Sequence, residues 1–140
     1  MLVIVDIVEN EFVGDTPSWI GHRLSRLMIL SFRSNHFHGH IPKELCALTS
    51  LQILDISHNK LFGSIPRCVS NFNAMAAKNS SNPNINFMNF LGPYDMFESA
   101  LVVMKGKVLE YSKTLQLVKS IDLSKNNLAG EIPKELISLH

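Results

Sequence analysis

Three columns of residues recur along this chain at a near-constant interval, and they leave room for essentially one kind of architecture. Four stretches align on one frame: LVIVDIVENEFVGDTP at residues 2–17, LMILSFRSNHFHGHIP at 27–42, LQILDISHNKLFGSIP at 51–66 and VKSIDLSKNNLAGEIP at 118–133. Asn10, Asn35, Asn59 and Asn126 share one column. Gly14, Gly39, Gly63 and Gly130 share a second, and Pro17, Pro42, Pro66 and Pro133 a third. Successive asparagines lie 25, 24 and then 67 residues apart. A motif of about two dozen residues cannot bury its own apolar face, so copies must stack as coils of a solenoid.

The columns have physical reasons. In the third copy Leu51, Leu54, Ile56 and Leu61 point inward and stack on the same positions of the next coil. The segment around Leu54 is expected to be a short strand, pairing in parallel with its counterparts. The asparagine amide can donate and accept, so it can satisfy backbone groups that the turn after the strand leaves unpaired. The glycine permits a backbone conformation that other residues resist. The proline fixes φ and removes a donor, ending a second short extended segment. KELCAL at 43–48 is expected to close its coil as a short helix.

The chain is 140 residues long, 46% apolar and carries a formal net charge of +1. That suits one domain with a continuous core and gives no field directed at nucleic acid or acidic lipid. No stretch reaches the ~18 apolar residues a membrane helix needs. The opening MLVIVDIVENEF is broken by Asp6 and Glu9 and has no basic lead, so it does not read as a signal peptide. The chain is expected to carry no targeting segment and no direct membrane insertion of its own. It opens within one repeat and stops within another, which predicts poor solubility or partial order in isolation.

The pattern LxxLxLSxNxLxGxIP resembles the plant-specific class of leucine-rich repeats. Its Gly-x-Ile-Pro ending occurs here as GHIP, GSIP and GEIP, and as GDTP in the first copy, where Thr16 replaces Ile. The resemblance covers roughly 100 residues. It implies an α/β fold, a leucine-rich-repeat solenoid bent into a horseshoe arc. Short parallel strands would line its concave face, and one non-repeat insertion would interrupt it. The expected domains are three repeats over 1–72, an island insertion over 73–114 and a further repeat over 115–140.

The 67-residue interval leaves 43 residues outside the repeat. Their first half, NSSNPNINFMNFLGP, reads as a loop, and the second, ESALVVMKGKVLEYSKT, as strand with a turn or kink at Lys105-Gly106. The run from ALVVMKGKVLEY to GEIPKEL looks like the part of plant receptor-like proteins that joins an island domain to the last repeats before the membrane. In that family the island carries a Lys, five residues, then a Tyr, which here are Lys105 and Tyr111. The resemblance gives them the role of contacting a co-receptor kinase of the somatic-embryogenesis receptor kinase type. The residues themselves leave open that Lys105 sits in a turn and Tyr111 fills a core.

Cys46 and Cys68 lie about one coil apart on the helical side. Coils stacked at about 5 Å bring them within bridging reach. Receptor-like proteins show the same LC…IPRC arrangement, and a disulfide is expected in an oxidising compartment, with two buried thiols as the alternative. Asn79-Ser80-Ser81 is a glycosylation sequon in the polar half of the insertion. His36, His38 and His40 alternate but occupy variable slots, with no acidic partner or cysteine at their spacing, so they read as surface residues rather than metal ligands.

Nucleophile elbows, phosphate loops, HExxH, CxxC and kinase signatures are absent from the sequence, so no enzyme and no cofactor is expected. Binding is expected on the concave face, where residues between the inward leucines point out. These are Met28, Ile29, Ser31, Arg33 and Ser34 in the second copy; Gln52, Ile53, Asp55, Ser57 and His58 in the third; and Lys119, Ser120, Asp122, Ser124 and Lys125 in the fourth. Asp6, Asp55 and Asp122 share a column with Ser31. The resemblance implies an extracellular, non-catalytic recognition module. It would be part of a membrane-anchored receptor-like protein in defence or development, binding a peptide or protein ligand and a co-receptor. The alternatives are the same region of a receptor kinase, or a secreted inhibitor of pathogen wall-degrading enzymes; such inhibitors usually lack an island.

Overall fold

The computed structural model describes residues 2–77, 100–104, 107–111 and 119–139. The chain forms two compact units, one of residues 1–78 with 119–140 and one of residues 79–118.

The first unit is a solenoid of four coils. Each coil contributes a strand to one sheet at the position of the inward leucines: β1 (Ile4–Asp6), β3 (Ile29–Ser31), β5 (Ile53–Asp55) and β9 (Ser120–Asp122). They pair in parallel in that order, with Ile4, Ile29, Ile53 and Ser120 in register. β5 therefore pairs directly with β9 across the whole insertion. A second parallel sheet follows the asparagine turn, in the order β10-β6-β4-β2, built from β2 (Val13–Asp15), β4 (His36–Gly39), β6 (Lys60–Gly63) and β10 (Asn127–Leu128). Behind the prolines the coils close through α1 (Trp19–Arg23) and 3-10 turns at Lys43–Ala47, Arg67–Asn71 and Lys134–Leu139. With few residues and a proline cap, these segments suit tight 3-10 geometry better than a full α-helix.

The core is the stack of inward columns. Leu27, Leu30, Phe32, Phe37, Leu51, Leu54, Ile56 and Leu61 are buried together. Burying each such side chain contributes on the order of 2 kcal/mol, which a single coil could not collect alone. Phe32 and Phe37 lie 5.1 Å apart between ring centres, and Phe37 also faces Phe12 at 6.5 Å. Helix α1 packs so closely on the next coil that a Cβ at Gly21 would collide with the backbone carbonyl of Glu44.

The asparagines tie one coil to the one before it. The Asn59 amide nitrogen donates to Phe32 O (3.0 Å) in the preceding coil and to Ile56 O and Ser57 O in its own turn. Its Oδ1 accepts from Phe37 N–H at 3.0 Å. Asn35 does the same with Ile7 O and Phe12 N–H, and Asn126 with Ile56 O and Leu61 N–H. One side chain thus satisfies four backbone groups that no strand or helix pairs.

Two features were not visible in the sequence. The residue before each asparagine has a left-handed backbone without being glycine: Glu9, Ser34, His58 and Lys125, with φ of 56°, 54°, 53° and 50°. The asparagine ladder holds the turn in that conformation despite a steric cost of about 1–2 kcal/mol per residue. Thr16, in the Ile column, is buried, and its hydroxyl has no hydrogen-bond partner.

The repeat body runs further than the sequence boundary at residue 72. A short helix α2 (Asn73–Ala76) belongs to it, because Met75 is buried in its core and Ala74 N–H donates to Thr49 O. The second unit contains an antiparallel hairpin, β7 (Ala100–Met104) with β8 (Lys107–Tyr111), in which Ala100 pairs with Tyr111 and Met104 with Lys107.

Candidate recognition surface

The face of the first sheet away from the core carries two in-register rows. One runs Ile4, Ile29, Ile53, Ser120 and the other Asp6, Ser31, Asp55, Asp122. Strands about 4.8 Å apart crowd a short side chain from both sides. Five of the residues expected to face a ligand are in fact buried: Ile29, Ser31, Ile53, Asp55 and Ser57. Alternation along a strand does not foretell this loss of access to solvent.

The aspartate column is occupied locally. Asp55 Oδ1 accepts from Ser57 N–H at 3.1 Å and from the Ser57 hydroxyl at 2.6 Å. Asp122 accepts from Ser124 N–H at 3.0 Å, and Asp6 from Val8 N–H at 3.1 Å. These carboxylates cap the turn leaving each strand, as Asx turns do. Ser31 replaces the carboxylate in the second coil.

The accessible part of the surface lies at the strand entrances and exits and along β9. Met28, Gln52 and Lys119 form a half-buried column before the strands. Arg33, His58, Ser120 and Asp122 are half-buried as well, and Ser124 is exposed. Two of these side chains hold unused capacity: Arg33 Nε, a donor, and Gln52 Oε1, an acceptor, are buried atoms without a hydrogen-bond partner. Lys119 donates its ammonium to Ala77 O, within the same unit. The arrangement offers shallow polar contacts around an apolar strip and suits recognition without chemistry.

Cys46 and Cys68 form a disulfide between the second and third coils, with Cα atoms 5.8 Å apart. A 22-residue separation makes such a link worth about 3 kcal/mol in the chain-entropy account. His36, His38 and His40 are exposed. An acidic partner does reach one of them: His38 Nδ1 lies 3.3 Å from Asp15 Oδ1, because the coil-to-coil register sets Asp15 opposite His38. His40 packs edge-on against Phe62 at 4.7 Å. Among the described residues no group of three His, Cys, Asp or Glu side chains could hold a metal ion. Nor is any helix among them long and apolar enough to cross a membrane. Tyr111 ends β8. Lys105 and Asn79 lie outside the described residues.

Known proteins share this pattern. A leucine-rich-repeat family model matches residues 1–61, and a second leucine-rich-repeat model matches residues 117–139. Receptor-like protein EIX2 of Solanum lycopersicum is 42% identical over 143 aligned residues, which cover 99% of this chain and 14% of that protein. Receptor-like protein 43 of Arabidopsis thaliana is 40% identical, covering 92% of this chain and 18% of that protein. The chain thus spans under a fifth of the length of these relatives. Among solved structures, the Arabidopsis receptor kinase HAESA, in complex with the peptide hormone IDA and the co-receptor SERK1, superposes with a TM-score of 0.62 at 25% identity. The match covers 99% of this chain and 16% of that one. A chain of the Arabidopsis thaliana BIR3–SERK2 complex gives 0.59 at 25% identity, covering 94% of this chain and 47% of that one. The repeat columns, the two parallel ladders and relatives matching almost the whole chain together make it a member of the plant leucine-rich-repeat receptor-like proteins, of which it spans one stretch.

Proposed function

We propose that the chain is a non-catalytic, extracellular recognition segment of a plant cell-surface receptor-like protein. Its parent would sit at the cell membrane with these coils outside. It would act in defence or developmental signalling by binding a peptide or protein ligand and a co-receptor kinase of the somatic-embryogenesis receptor kinase type. The observation that carries this reading is the 42% identity to a receptor-like protein across 99% of the chain, insertion included. Solved relatives support the partner class: HAESA was solved with a peptide hormone and SERK1. An oxidising exterior also suits the Cys46–Cys68 disulfide and would allow glycosylation at Asn79.

The two recognition roles fall on different residues. Arg33, Gln52, His58, Lys119, Ser120, Asp122 and Ser124 offer the ligand polar contacts and Met28 an apolar one, beside the buried Ile29, Ser31, Ile53, Asp55 and Ser57. Lys105 and Tyr111 in the insertion serve the co-receptor. Tyrosine joins a flat apolar body to a polar tip, and lysine adds a mobile charge, a combination suited to an interface.

The test is binding of the secreted chain to a purified SERK-type ectodomain, by biolayer interferometry. Lys105→Ala and Tyr111→Ala are expected to weaken binding about tenfold or more while leaving the melting curve unchanged. Binding unaffected by either substitution would remove both residues from the contact. Arg33→Ala and Gln52→Ala should leave this interaction alone and weaken only ligand binding.

A further inference from the structure

The outward face of the second sheet carries a pattern of its own, away from the strands that would meet a ligand. β4 and β6 each lie between two other strands, so what they expose is set by their own residues and not by the ends of the stack. Burial alternates along β4: Phe37 turns inward, and His36 and His38 turn out. His40, just past the strand, is exposed as well. Three imidazoles therefore recur at every second residue, about 6.7 Å apart along the strand.

Their neighbours complete the face. The register sets His38 between Asp15 and Lys60, and His36 beside Val13. His40 packs edge-on against Phe62, a ring that is still 46% exposed. Two glycines make room for this arrangement. A Cβ at Gly63 would collide with the His40 ring, and one at Gly39 with the Asp15 carboxylate. Asp15 also shows what such an imidazole accepts, since its Oδ1 stands 3.3 Å from His38 Nδ1. A protonated imidazole donates from both nitrogens, so His38 can keep Asp15 on Nδ1 and take a second carboxylate on Nε2.

The charge of the face depends on pH. Glu11 shares the position after the asparagine with His36 and Lys60, and all three are exposed. With neutral imidazoles, Glu11 and Asp15 outweigh Lys60. Imidazole takes up its proton between about pH 8 and pH 5, so acidification reverses the sign.

We propose that this face binds an extended acidic polypeptide segment as the pH falls. Alternate side chains of an extended chain repeat at the same spacing of about 6.7 Å. Carboxylates at every second residue then meet His36, His38 and His40 in turn, and an apolar side chain after the last of them covers Phe62. The contact is made by side chains, because β4 and β6 are already paired along both edges. It uses none of the residues assigned above to ligand or co-receptor, so it stands independently of that function.

Fluorescence anisotropy of a labelled peptide, Glu-Thr-Glu-Thr-Glu-Thr-Phe, titrated with the intact chain at about pH 5.5 and about pH 7.5, tests this. Binding is expected to be at least about tenfold tighter at the lower pH. The triple variant His36→Gln, His38→Gln, His40→Gln should remove that pH dependence while leaving the melting curve unchanged, since all three side chains are exposed. Phe62→Ala should weaken binding about threefold at both pH values. A peptide of the same composition with its three glutamates contiguous should bind several-fold more weakly. Equal binding at the two pH values, or binding that survives the triple variant, would overturn the proposal. Equal binding of the contiguous peptide would refute the matched spacing. Polygalacturonate bound with the same pH and histidine dependence, where the peptide is not, would replace the polypeptide with an acidic sugar polymer and so refute it too. Should the triple variant unfold, Lys60→Glu decides: it reverses the one fixed positive charge in the histidine row and must weaken peptide binding at both pH values.

Discussion

The third coil, residues 51–77, and the fourth, residues 119–139, carry the same repeat and are buried to different depths. Leu54, Ile56 and Leu61 are buried, while their counterparts Ile121, Leu123 and Leu128 are only half-buried. Asn59 is buried, while Asn126 is half-buried. The cause is position in the stack. β5 lies between β3 and β9, and β6 between β4 and β10, whereas among the described residues β9 and β10 each have a neighbour on one side. A repeat therefore specifies which side chains turn inward, and the adjoining coil decides how much that is worth.

The asparagine column should grade this difference most steeply. Asn59→Ala leaves the buried Phe37 N–H without its acceptor and takes one of two donors from each of Phe32 O, Ile56 O and Ser57 O, so a loss of about 3 kcal/mol is expected. Asn126→Ala removes equivalent bonds where water reaches in, and about 2 kcal/mol is expected. Asn10→Ala removes two exposed bonds and should cost under about 1 kcal/mol. Urea unfolding of the three variants measures the series. Equal losses at all three sites would show that the bonds act within a turn rather than between coils.

The apolar column gives a smaller contrast of the same sign. Leu54→Ala opens a cavity in a well-packed layer and should cost about 3 kcal/mol. Leu123→Ala, only partly buried against the core, should cost about half as much. If the two were equal, the half-buried exposure of the fourth coil would not describe its packing in solution.

Much of this was legible beforehand because it is written in columns. Asparagine, glycine and proline each have a conformational reason to recur, and their spacing located the coils, the short strands and the place of the insertion. Depth was less legible: alternation told that Ile29, Ile53 and Asp55 face away from the core, but not that neighbouring structure would bury them. The aspartate column looked like a binding row and also caps the turns, since a carboxylate two residues before a backbone N–H can serve either purpose. The left-handed column left no trace because Glu9, Ser34, His58 and Lys125 have no residue type in common. The partner of His38 was missed because Asp15 is far in sequence and near only through the register.

The first coil supplies a test in the stabilising direction. Thr16 stands where the other copies have Ile, and its buried hydroxyl lacks a partner. Thr16→Val keeps the shape and removes the polar atom, so a gain of about 1 kcal/mol is expected in the same urea experiment. A loss would mean that water or backbone movement already satisfies the hydroxyl.

The smallest expected effect separates local from neighbour-dependent terms. His58 and Lys125 hold nearly the same left-handed φ, 53° and 50°, in two coils buried to different depths. Glycine at such a position relieves a steric cost of about 1–2 kcal/mol and adds an entropic one of about 0.5–1 kcal/mol. His58→Gly and Lys125→Gly should therefore each stabilise by about 0.5 kcal/mol, and by the same amount. Packing terms differ between the coils, but a backbone term depends only on φ and ψ. Unequal gains, read as different shifts in the urea midpoint at constant slope, would show that the depth of the neighbouring coil reaches even the turn backbone.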